Sequence, residues 1–488
     1  MDKILTKGIV LHGLFWSFLD RGGDQILRFL ISLILARLLL PEMFGLIAMI
    51  MVIFDIAQQI VNGGFGASLI NKKDHTYKDE CAVFFFNIAM SIMCCVAIFF
   101  TAPLIAAFYN QAKLCLIIRV LSISFFVSSL GTIQFILMMK KMDFKRQALI
   151  SMSNTLISGG LGVGFALGGF GVWSLVIQLI SRSLIGSILA WRFYSWRPSL
   201  VFDINSLSGL FSYGSKLFLS DIATIIFNNI YNIIIGKFYD AGSLAFFWRG
   251  RQLQQLPCDS MWAGIGRVTF PTFSLLKNDT EKLVISFRKA IVLVAFVLFP
   301  TMFILAACSH NLVLFLYTAK WIKCAIYFKI FCFIGAFLVM DNLTNNVVAG
   351  SGRSGFSLFM NVFQKSLLLL SVFFSFRFGI VWMAIAYGIT MIICFVVDFT
   401  IYCKIFKRPT YKEFSILFPY LFFGAASYFI CILVGKAHLQ ILLQLFAQLF
   451  AGTSIYLFFN MTSKTKGFNE FIALTKPVMV RIIGDRRK

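Results

Sequence analysis

Apolar stretches of about 20 residues recur along the whole chain, separated by short polar or basic breaks. A helix of about 20 apolar residues crosses the hydrocarbon core of a bilayer, so each stretch predicts a transmembrane helix. The breaks, such as Pro41-Glu42 and Phe378-Gly379, are short enough for helical hairpins, and no inserted soluble domain is expected. The predicted spans are 10–38, 43–68, 81–108, 114–139, 147–168, 171–194, 209–236, 242–268, 287–316, 324–349, 355–376, 379–403, 414–435 and 440–461. The pattern predicts an all-α, polytopic membrane protein with about 14 transmembrane helices.

The composition favours the same class. Hydrophobic residues make up 59% of the 488 positions and charged residues 13%, and the mean hydropathy is +0.86. An average soluble chain has about twice that charged fraction. The eleven cysteines have no metal-ligand spacing, and the sequence contains no Walker phosphate loop and no evident catalytic nucleophile. We therefore expect a transporter and not an enzyme, with no metal, no cofactor and no ATP hydrolysis of its own.

Lysine and arginine are distributed unevenly between the two sides of the predicted spans. If the N-terminus is cytoplasmic, 27 of these residues lie on the cytoplasmic side and 8 on the opposite side. Short cytoplasmic loops of membrane proteins carry such an excess of cations, so both termini are predicted to be cytoplasmic. The net charge of +24 follows mainly from this asymmetry, and nucleic acid is not an expected partner.

A weak internal repeat indicates two related halves. The segment FGVWSLV at 170–176 is similar to FGIVWMAI at 378–385, and duplicated bundles are typical of alternating-access transporters. We predict two seven-helix bundles around a central cavity. The predicted division is an N-terminal bundle with helices 1–6 at 1–194, a cytoplasmic linker at 195–208, C-terminal helices 7–14 at 209–461, of which 13 and 14 are peripheral, and a basic cytoplasmic tail at 462–488.

Polar side chains recur at three- and four-residue steps in predicted helices 1, 2, 7 and 8, and this spacing gathers them on one side of each helix. A charged side chain that faces lipid at mid-depth costs about 2.5 to 3.5 kcal/mol, so these stripes predict a hydrophilic cavity. The candidate substrate-binding residues are Arg21, Arg28, Lys216, Arg249, Arg251 and Arg267, and the candidate supporting residues are Asp20, Asp24, Asp55, Asn228 and Gln252.

Structural roles compete with binding at several of these positions. Arg21, Asp24 and Arg28 can neutralise one another along their helix as an ion-pair ladder. Arg267 can anchor its helix at the interface, and the hypothesis of snorkelling is favoured for the three remaining cations in the spans, Lys365, Arg119 and Arg182. The carboxylates Asp55, Asp341 and Asp398 are expected to be structural partners and not ion sites.

Two segments resemble a known family. The hairpin LARLLLPEMFGLIAMIMVIFDIAQQIVNGGFGASLINKKD, 35–74, and the segment GRVTFPTFSLLKNDTEKL, 266–283, are similar to bacterial polysaccharide exporters of the Wzx and colanic-acid-exporter type. Arg249, Gln252, Leu253 and Pro257 precede the second segment in the pattern of that family. The resemblance implies membership of the multidrug/oligosaccharidyl-lipid/polysaccharide exporter superfamily. Its related peptidoglycan-precursor flippases keep cations in a cavity lined by helices 1, 2, 7 and 8.

Asp20-Arg21 and Arg249 fall at matching positions of that family, whereas an aromatic residue often replaces Arg251. The resemblance implies a flippase that moves undecaprenyl-pyrophosphate-linked oligosaccharide across the bacterial inner membrane, for O-antigen, capsule or exopolysaccharide synthesis. Expected partners are this lipid-linked oligosaccharide, membrane lipid and a downstream polymerase. Two alternatives remain open, an ion-coupled multidrug antiporter of the same superfamily and a membrane glycan polymerase or ligase.

Overall fold

The computed structural model describes residues 7–63, 65–72, 75–199, 204–437 and 439–473, without the side chains of 7–21, 67, 71, 204–220, 267 and 354. All regular secondary structure within these ranges is helical. The chain forms two compact units, Met1–Ala245 and Phe246–Lys488. The fold class predicted from the sequence, an all-α membrane protein, is confirmed.

The first unit consists of eight helices and the beginning of a ninth. They are α1 (Lys7–Leu38), α2 (Pro41–Asn62), α3 (Phe65–Asn71), α4 (Tyr77–Phe108), α5 (Lys113–Lys140), α6 (Phe144–Leu167), α7 (Val172–Phe193), α8 (Ile204–Phe238) and the start of α9 (Ala241–Leu275). Helix α1 packs on α6, α6 packs on α7, and α5 packs on both α4 and α7. Asp240 begins α9 by accepting hydrogen bonds from the Ser243 backbone N–H at 2.8 Å and from its hydroxyl at 2.6 Å. Although burial opposes the charge, these bonds lower the pKa of Asp240.

The described residues of the second unit form the rest of α9 and eight further α-helices. They are α10 (Thr280–Ala307), α11 (Ser309–Tyr317), α12 (Cys324–Gly350), α13 (Ser354–Ser375), α14 (Ile380–Ile405), α15 (Thr410–Ser415), α16 (Phe418–Val434) and α17 (Ile441–Thr462), with a 3₁₀ turn at Ala319–Trp321 after α11. Helix α12 packs against α10, α13 and α14, and α10 also packs against α16. Helix α12 therefore forms the centre of this unit.

Fourteen helices of the described chain have 17 residues or more, and each corresponds to one predicted span. By length and composition, eleven helices found among the described residues can cross a membrane. Helices α1, α8 and α9 are the other three, and all three are among the four helices predicted to carry polar stripes. The predicted division at 195–208 includes residues outside the described ranges, and the tail at 462–488 is described only to residue 473. Both remain predictions.

Three predicted spans are interrupted, and the shortest interruption is Ile416-Leu417 between α15 and α16, within the span predicted at 414–435. The span predicted at 43–68 divides into α2 and α3, because Gly63 adopts a left-handed conformation with φ of 53° and ends α2. The span predicted at 287–316 divides at Cys308, where α10 ends and α11 begins. In the second case α10 also begins earlier than predicted, since the Asp279 carboxylate accepts a hydrogen bond from the Lys282 backbone N–H at 3.1 Å.

Candidate functional site

Asp24 lies at the centre of a group of charged and polar side chains in the first unit, which we call the Asp24 cluster: Asp24 and Arg28 on α1, Thr155 on α6 and Arg182 on α7. The consecutive packing of α1, α6 and α7 brings these residues together. The helices approach closely, since a Cβ added at Gly159 of α6 would lie 2.2 Å from the Ile31 side chain of α1. A side chain at position 159 would therefore require Ile31 to move.

Asp24 is 3% exposed. Its carboxylate accepts hydrogen bonds from α6 and from the next turn of α1. Thr155 Oγ1 donates a hydrogen bond to Asp24 Oδ1, and Arg28 Nη2 donates to Asp24 Oδ2. Arg182 Nη2 lies 3.9 Å from the same Oδ2. A buried carboxylate requires such partners, because removing it from water without them is costly. Two guanidinium groups for one carboxylate leave the cluster with a net positive charge.

Both arginines of the cluster keep surface that Asp24 does not cover. The side chain of Arg28 is 51% exposed and that of Arg182 is 37% exposed. The hypothesis that Arg182 snorkels to an interface is wrong. Its guanidinium lies beside the Asp24 carboxylate, and both residues are in the middle of their helices. The partial ion-pair ladder expected along α1 is present between Asp24 and Arg28.

Five other candidate residues belong to the first unit. The side chains of Asp20, Arg21 and Lys216 lie outside the described residues. Asp55 on α2 and Asn228 on α8 are exposed. One link between these two helices was not predicted: Gln59 Nε2 donates to Asp221 Oδ2 at 2.7 Å. The sequence contained a signal for it, since Gln59 belongs to the polar stripe of α2.

Arg249 on α9 occupies a very different environment in the second unit. It is 2% exposed, and its guanidinium carbon lies 5.5 Å from the Trp248 ring centre, 5.4 Å from that of Tyr317 and 5.5 Å from that of Trp321. Arg249 Nη1 donates a hydrogen bond of 2.8 Å to Gln252 Oε1. We call these five residues the Arg249 cage. Contacts between a desolvated guanidinium and aromatic faces contribute about 2 kcal/mol or more each in favourable cases.

Gly250 allows this cage to form. A Cβ at this position would lie 2.8 Å from the Phe328 backbone nitrogen and 2.9 Å from Tyr327 Cβ, so α9 can approach α12 only without a side chain here. The approach brings α9 beside α11 and the 3₁₀ turn, which supply Tyr317 and Trp321. Arg249 and Gln252, two separate candidates from the sequence, are in contact, whereas the rings of Tyr317 and Trp321 were not anticipated because they come from a distant segment.

Arg251 points to a different neighbour from Arg249. Its guanidinium carbon lies 5.1 Å from the ring centre of Tyr387 on α14, and Nη2 donates to the Tyr387 hydroxyl at 3.4 Å. It is partly buried, whereas Arg249 is enclosed. The side chain of Arg267, the remaining candidate on α9, lies outside the described residues. Arg249 and Arg251 therefore do not form one binding surface in this structure.

The carboxyl groups of Asp341 on α12 and Asp398 on α14 are both buried, and α12 packs against α14. Gln364 Nε2 of α13 lies 3.5 Å from Asp341 Oδ2, so three helices meet at this pair. The expectation that Asp341 and Asp398 are structural partners and not ion sites stays a prediction.

Comparisons with known proteins show which family this chain resembles. The model of a family described as polysaccharide biosynthesis protein matches residues 34–326. The teichuronic acid biosynthesis protein TuaB of Bacillus subtilis is 25% identical over 412 residues, which cover 82% of this chain and 85% of TuaB. The lipopolysaccharide biosynthesis protein WzxC of Escherichia coli is 24% identical over 388 residues, 78% of either chain.

Among solved structures, the lipid II flippase MurJ in an inward closed conformation is similar to this fold with a TM-score of 0.74. The match covers 96% of this chain and 100% of that chain, at 13% sequence identity. At this identity the likeness concerns the fold. It extends over both compact units, so the helices that hold the Asp24 cluster and the Arg249 cage both have counterparts in that fold.

Proposed function

Because this chain belongs to the family of polysaccharide biosynthesis proteins, we propose that it is a flippase for polyprenyl-pyrophosphate-linked oligosaccharides. It moves repeat units across the bacterial inner membrane by alternating access, for O-antigen, capsule or exopolysaccharide synthesis. The similarity to the teichuronic acid biosynthesis protein TuaB, to the lipopolysaccharide biosynthesis protein WzxC and to the lipid II flippase MurJ supports this substrate class. The chain is a multi-pass membrane transporter and not an enzyme.

The observation that carries the proposal is the excess positive charge of the Asp24 cluster. A pyrophosphate group carries about two negative charges, and guanidinium groups replace its lost water with forked, charge-assisted hydrogen bonds. Arg28 and Arg182 offer partly exposed guanidinium groups, while Asp24 is buried beneath them. A carrier of cationic drugs would need an excess of negative charge at its binding site. The cluster therefore favours an anionic headgroup as cargo.

Arg249 provides a second contact with the cargo in this proposal. Because Arg249 is enclosed by Trp248, Tyr317 and Trp321, a substrate reaches it only in a conformation in which the rings separate. Alternating access supplies such a change, since it exposes the binding site to the two sides in turn. Arg21, Lys216 and Arg267 remain further candidates for the same cargo.

The proposed topology has both termini in the cytoplasm, and a downstream polymerase receives the product. Single cysteines at Lys141 and Lys407, in a cysteine-free background, are expected to resist an impermeant thiol reagent in intact spheroplasts. A cysteine at Lys436 is expected to react, because it lies on the opposite side of the predicted spans. Equal labelling of the three positions would contradict the topology.

The function is tested with purified protein in proteoliposomes. A labelled undecaprenyl-pyrophosphate oligosaccharide is incorporated, and its appearance in the other leaflet is measured with a membrane-impermeant glycosidase. We expect faster translocation than in protein-free vesicles of the same lipid composition. Translocation no faster than in those vesicles, or polymerisation or ligation of the glycan by the purified protein, would exclude the proposed function.

A further inference from the structure

Thr318, which joins α11 to the 3₁₀ turn at Ala319–Trp321, has a strained backbone. Its φ is 87° and its ψ is 173°. This combination belongs to a region of backbone conformation that is essentially restricted to glycine, and a residue with a branched Cβ is an outlier there. Such a conformation costs free energy and persists only where the surrounding structure holds it. Strain of this kind is concentrated at ligand clamps and switch regions of proteins.

Hydrogen bonds on both sides hold Thr318 in this conformation. Its backbone N–H donates to Leu314 O in the last turn of α11 at 3.1 Å, and its carbonyl oxygen accepts from the Trp321 N–H at 3.2 Å. The hydroxyl offsets none of the strain, since the buried Thr318 Oγ1 has no hydrogen-bond partner in the part of the chain that the structure describes. An unpaired buried hydroxyl adds to the cost of the conformation.

The strained residue separates two of the rings that enclose Arg249. Tyr317 directly precedes Thr318, and Trp321 follows three residues later. The Tyr317 and Trp321 side chains are buried, and their ring centres are 5.8 Å apart. A change of φ at Thr318 would turn the chain relative to α11, so it would shift Trp321 away from Tyr317. Thr318 is therefore the position at which the Arg249 cage can open.

The segment that follows Thr318 is attached at both ends and exposed between them. We call residues 318–323 the Thr318 lid. Before the lid, Asn311 Nδ2 of α11 donates to Gln448 Oε1 of α17 at 3.2 Å. After the lid, α12 begins at the buried residue Cys324. The lid contains three exposed residues, Ala319, Lys320 and Lys323.

We propose that the Thr318 lid closes over Arg249 under strain, and that it opens at Thr318 to expose the Arg249 cage to the side of the membrane opposite the cytoplasm. In the proposed topology the lid lies on that side, and Arg249 is about 12 Å along α9 from the end of the helix on the same side. The strain is present only in the closed lid, so it shifts the population towards the open lid. The inference rests on the proposed flippase function, in which Arg249 contacts the cargo only after its rings separate.

Hydrogen exchange of the full-length protein in detergent, followed by mass spectrometry, tests the lid. Opening frees the Trp321 and Ile322 N–H groups, which donate to Thr318 O and Ala319 O when the lid is closed. Thr318→Gly removes the strain of the closed lid, so exchange in a peptide that covers residues 318–323 is expected to slow about fivefold. Thr318→Ala removes the same hydroxyl but is still unsuited to this φ, and it is expected to slow exchange by less than about twofold.

Ala319→Gly is the matched control. It introduces glycine one residue later, within the 3₁₀ turn, where there is no strain of this kind to relieve. The added flexibility is expected to speed exchange of the same peptide about threefold. The two glycine substitutions therefore change exchange in opposite directions if strain at Thr318 controls the lid. Exchange in Thr318→Gly that is as fast as in the wild type, or faster, would overturn the lid.

Translocation of the labelled substrate in proteoliposomes shows whether the lid controls transport. Thr318→Gly is expected to slow translocation at least twofold relative to the wild type, because it favours the closed lid. Slower exchange with unchanged translocation would overturn the lid as a gate, while the flippase function would stand. If the wild-type protein itself does not translocate the substrate, the flippase function is wrong, and the exchange of the three variants still decides whether the strained lid exists.

Discussion

The Asp24 cluster and the Arg249 cage accommodate arginine within membrane helices by different means. In the cluster, a buried carboxylate holds two guanidinium groups that remain 51% and 37% exposed. In the cage, aromatic faces and the Gln252 amide surround a guanidinium that is 2% exposed. Ion pairing on one side leaves the other side of an arginine available to a solute, whereas enclosure by rings makes the arginine part of the packing.

This difference shows that the role of an arginine in an apolar segment cannot be inferred from its position in the sequence alone. Arg28 and Arg182 keep exposed surface in the present conformation, whereas Arg249 is enclosed by its cage. Substitutions in the two regions should therefore differ in how they divide their effect between stability and transport. In the cage, stability and transport should fall together, whereas in the cluster transport should be the more sensitive quantity.

The largest effect is expected from Arg249→Ala. The substitution empties the centre of the cage and should lower the free energy of unfolding by about 3 kcal/mol, the scale of other large-to-small substitutions in cores. Melting temperature in detergent, membrane abundance and surface polysaccharide are measured together. Arg249→Met separates packing from charge, because it fills much of the volume without the guanidinium. A wild-type melting temperature for Arg249→Ala would show that the cage contributes no stability.

A smaller loss of stability is expected from Gly250→Ala. This substitution leaves Arg249 unchanged but disturbs the close approach of α9 to α12 that forms the Arg249 cage. The added Cβ meets Phe328 and Tyr327 at less than 3 Å, so we expect a loss of about 2 kcal/mol. Gly264→Ala in the same helix is the control, because its Cβ would meet nothing within 4 Å among the described residues. It should be neutral or slightly stabilising, since alanine favours helix. Equal melting temperatures of the two variants would contradict the close approach.

In the cluster, Asp24→Asn removes the counter-charge of Arg28 and Arg182 but keeps the shape of the side chain. We expect a loss of about 2 kcal/mol, because both guanidinium groups then repel each other without compensation. The double variant Asp24→Asn/Arg182→Gln should recover part of this stability, and a double-mutant cycle measures the coupling. Strict additivity of the two substitutions would exclude the ion pair as a source of stability.

The smallest effect is expected from Thr155→Val, which preserves shape and removes only the hydroxyl that donates to Asp24. A hydrogen bond to a charged acceptor contributes about 1.5 kcal/mol, and diphosphate binding should weaken modestly because Asp24 is less firmly held. Thr101→Val is the comparison, since the exposed Thr101 hydroxyl donates to Ala97 O of its own helix at 2.8 Å. A loss for Thr155→Val no larger than for Thr101→Val would remove Thr155 from the cluster.

The number and approximate position of the long helices were predictable from the sequence. Each predicted span corresponds to one of the fourteen long helices of the described chain, because the length of an apolar stretch is a local property. The break at Gly63 was missed since the apolar pattern continues to Leu69, although Asn62-Gly63-Gly64 is a turn signal. The resemblance to polysaccharide exporters is confirmed by the family match over 34–326.

The candidate site was predictable only in part. The spacing of Asp24 and Arg28, and of Arg249 and Gln252, places each pair on one side of a helix, and both pairs are in contact. Thr155 and Arg182 have no periodic relation to Asp24, which is more than 100 residues away from both. No local pattern could therefore identify them as its partners, and Arg182 was expected to snorkel.

The sequence by itself determined the class of this protein, its helices and the polar faces of α1 and α9, because transfer free energy and helical periodicity act within one segment. Only the tertiary structure decided which residues contact each arginine. Arg182 reaches Asp24 because α6 packs between α1 and α7 with Thr155 facing the carboxylate. Arg249 is enclosed because Gly250 lets α9 approach α12, beside the rings of Tyr317 and Trp321. A side chain's burial and its partner depend on which helices pack together, and that is a property of the whole unit.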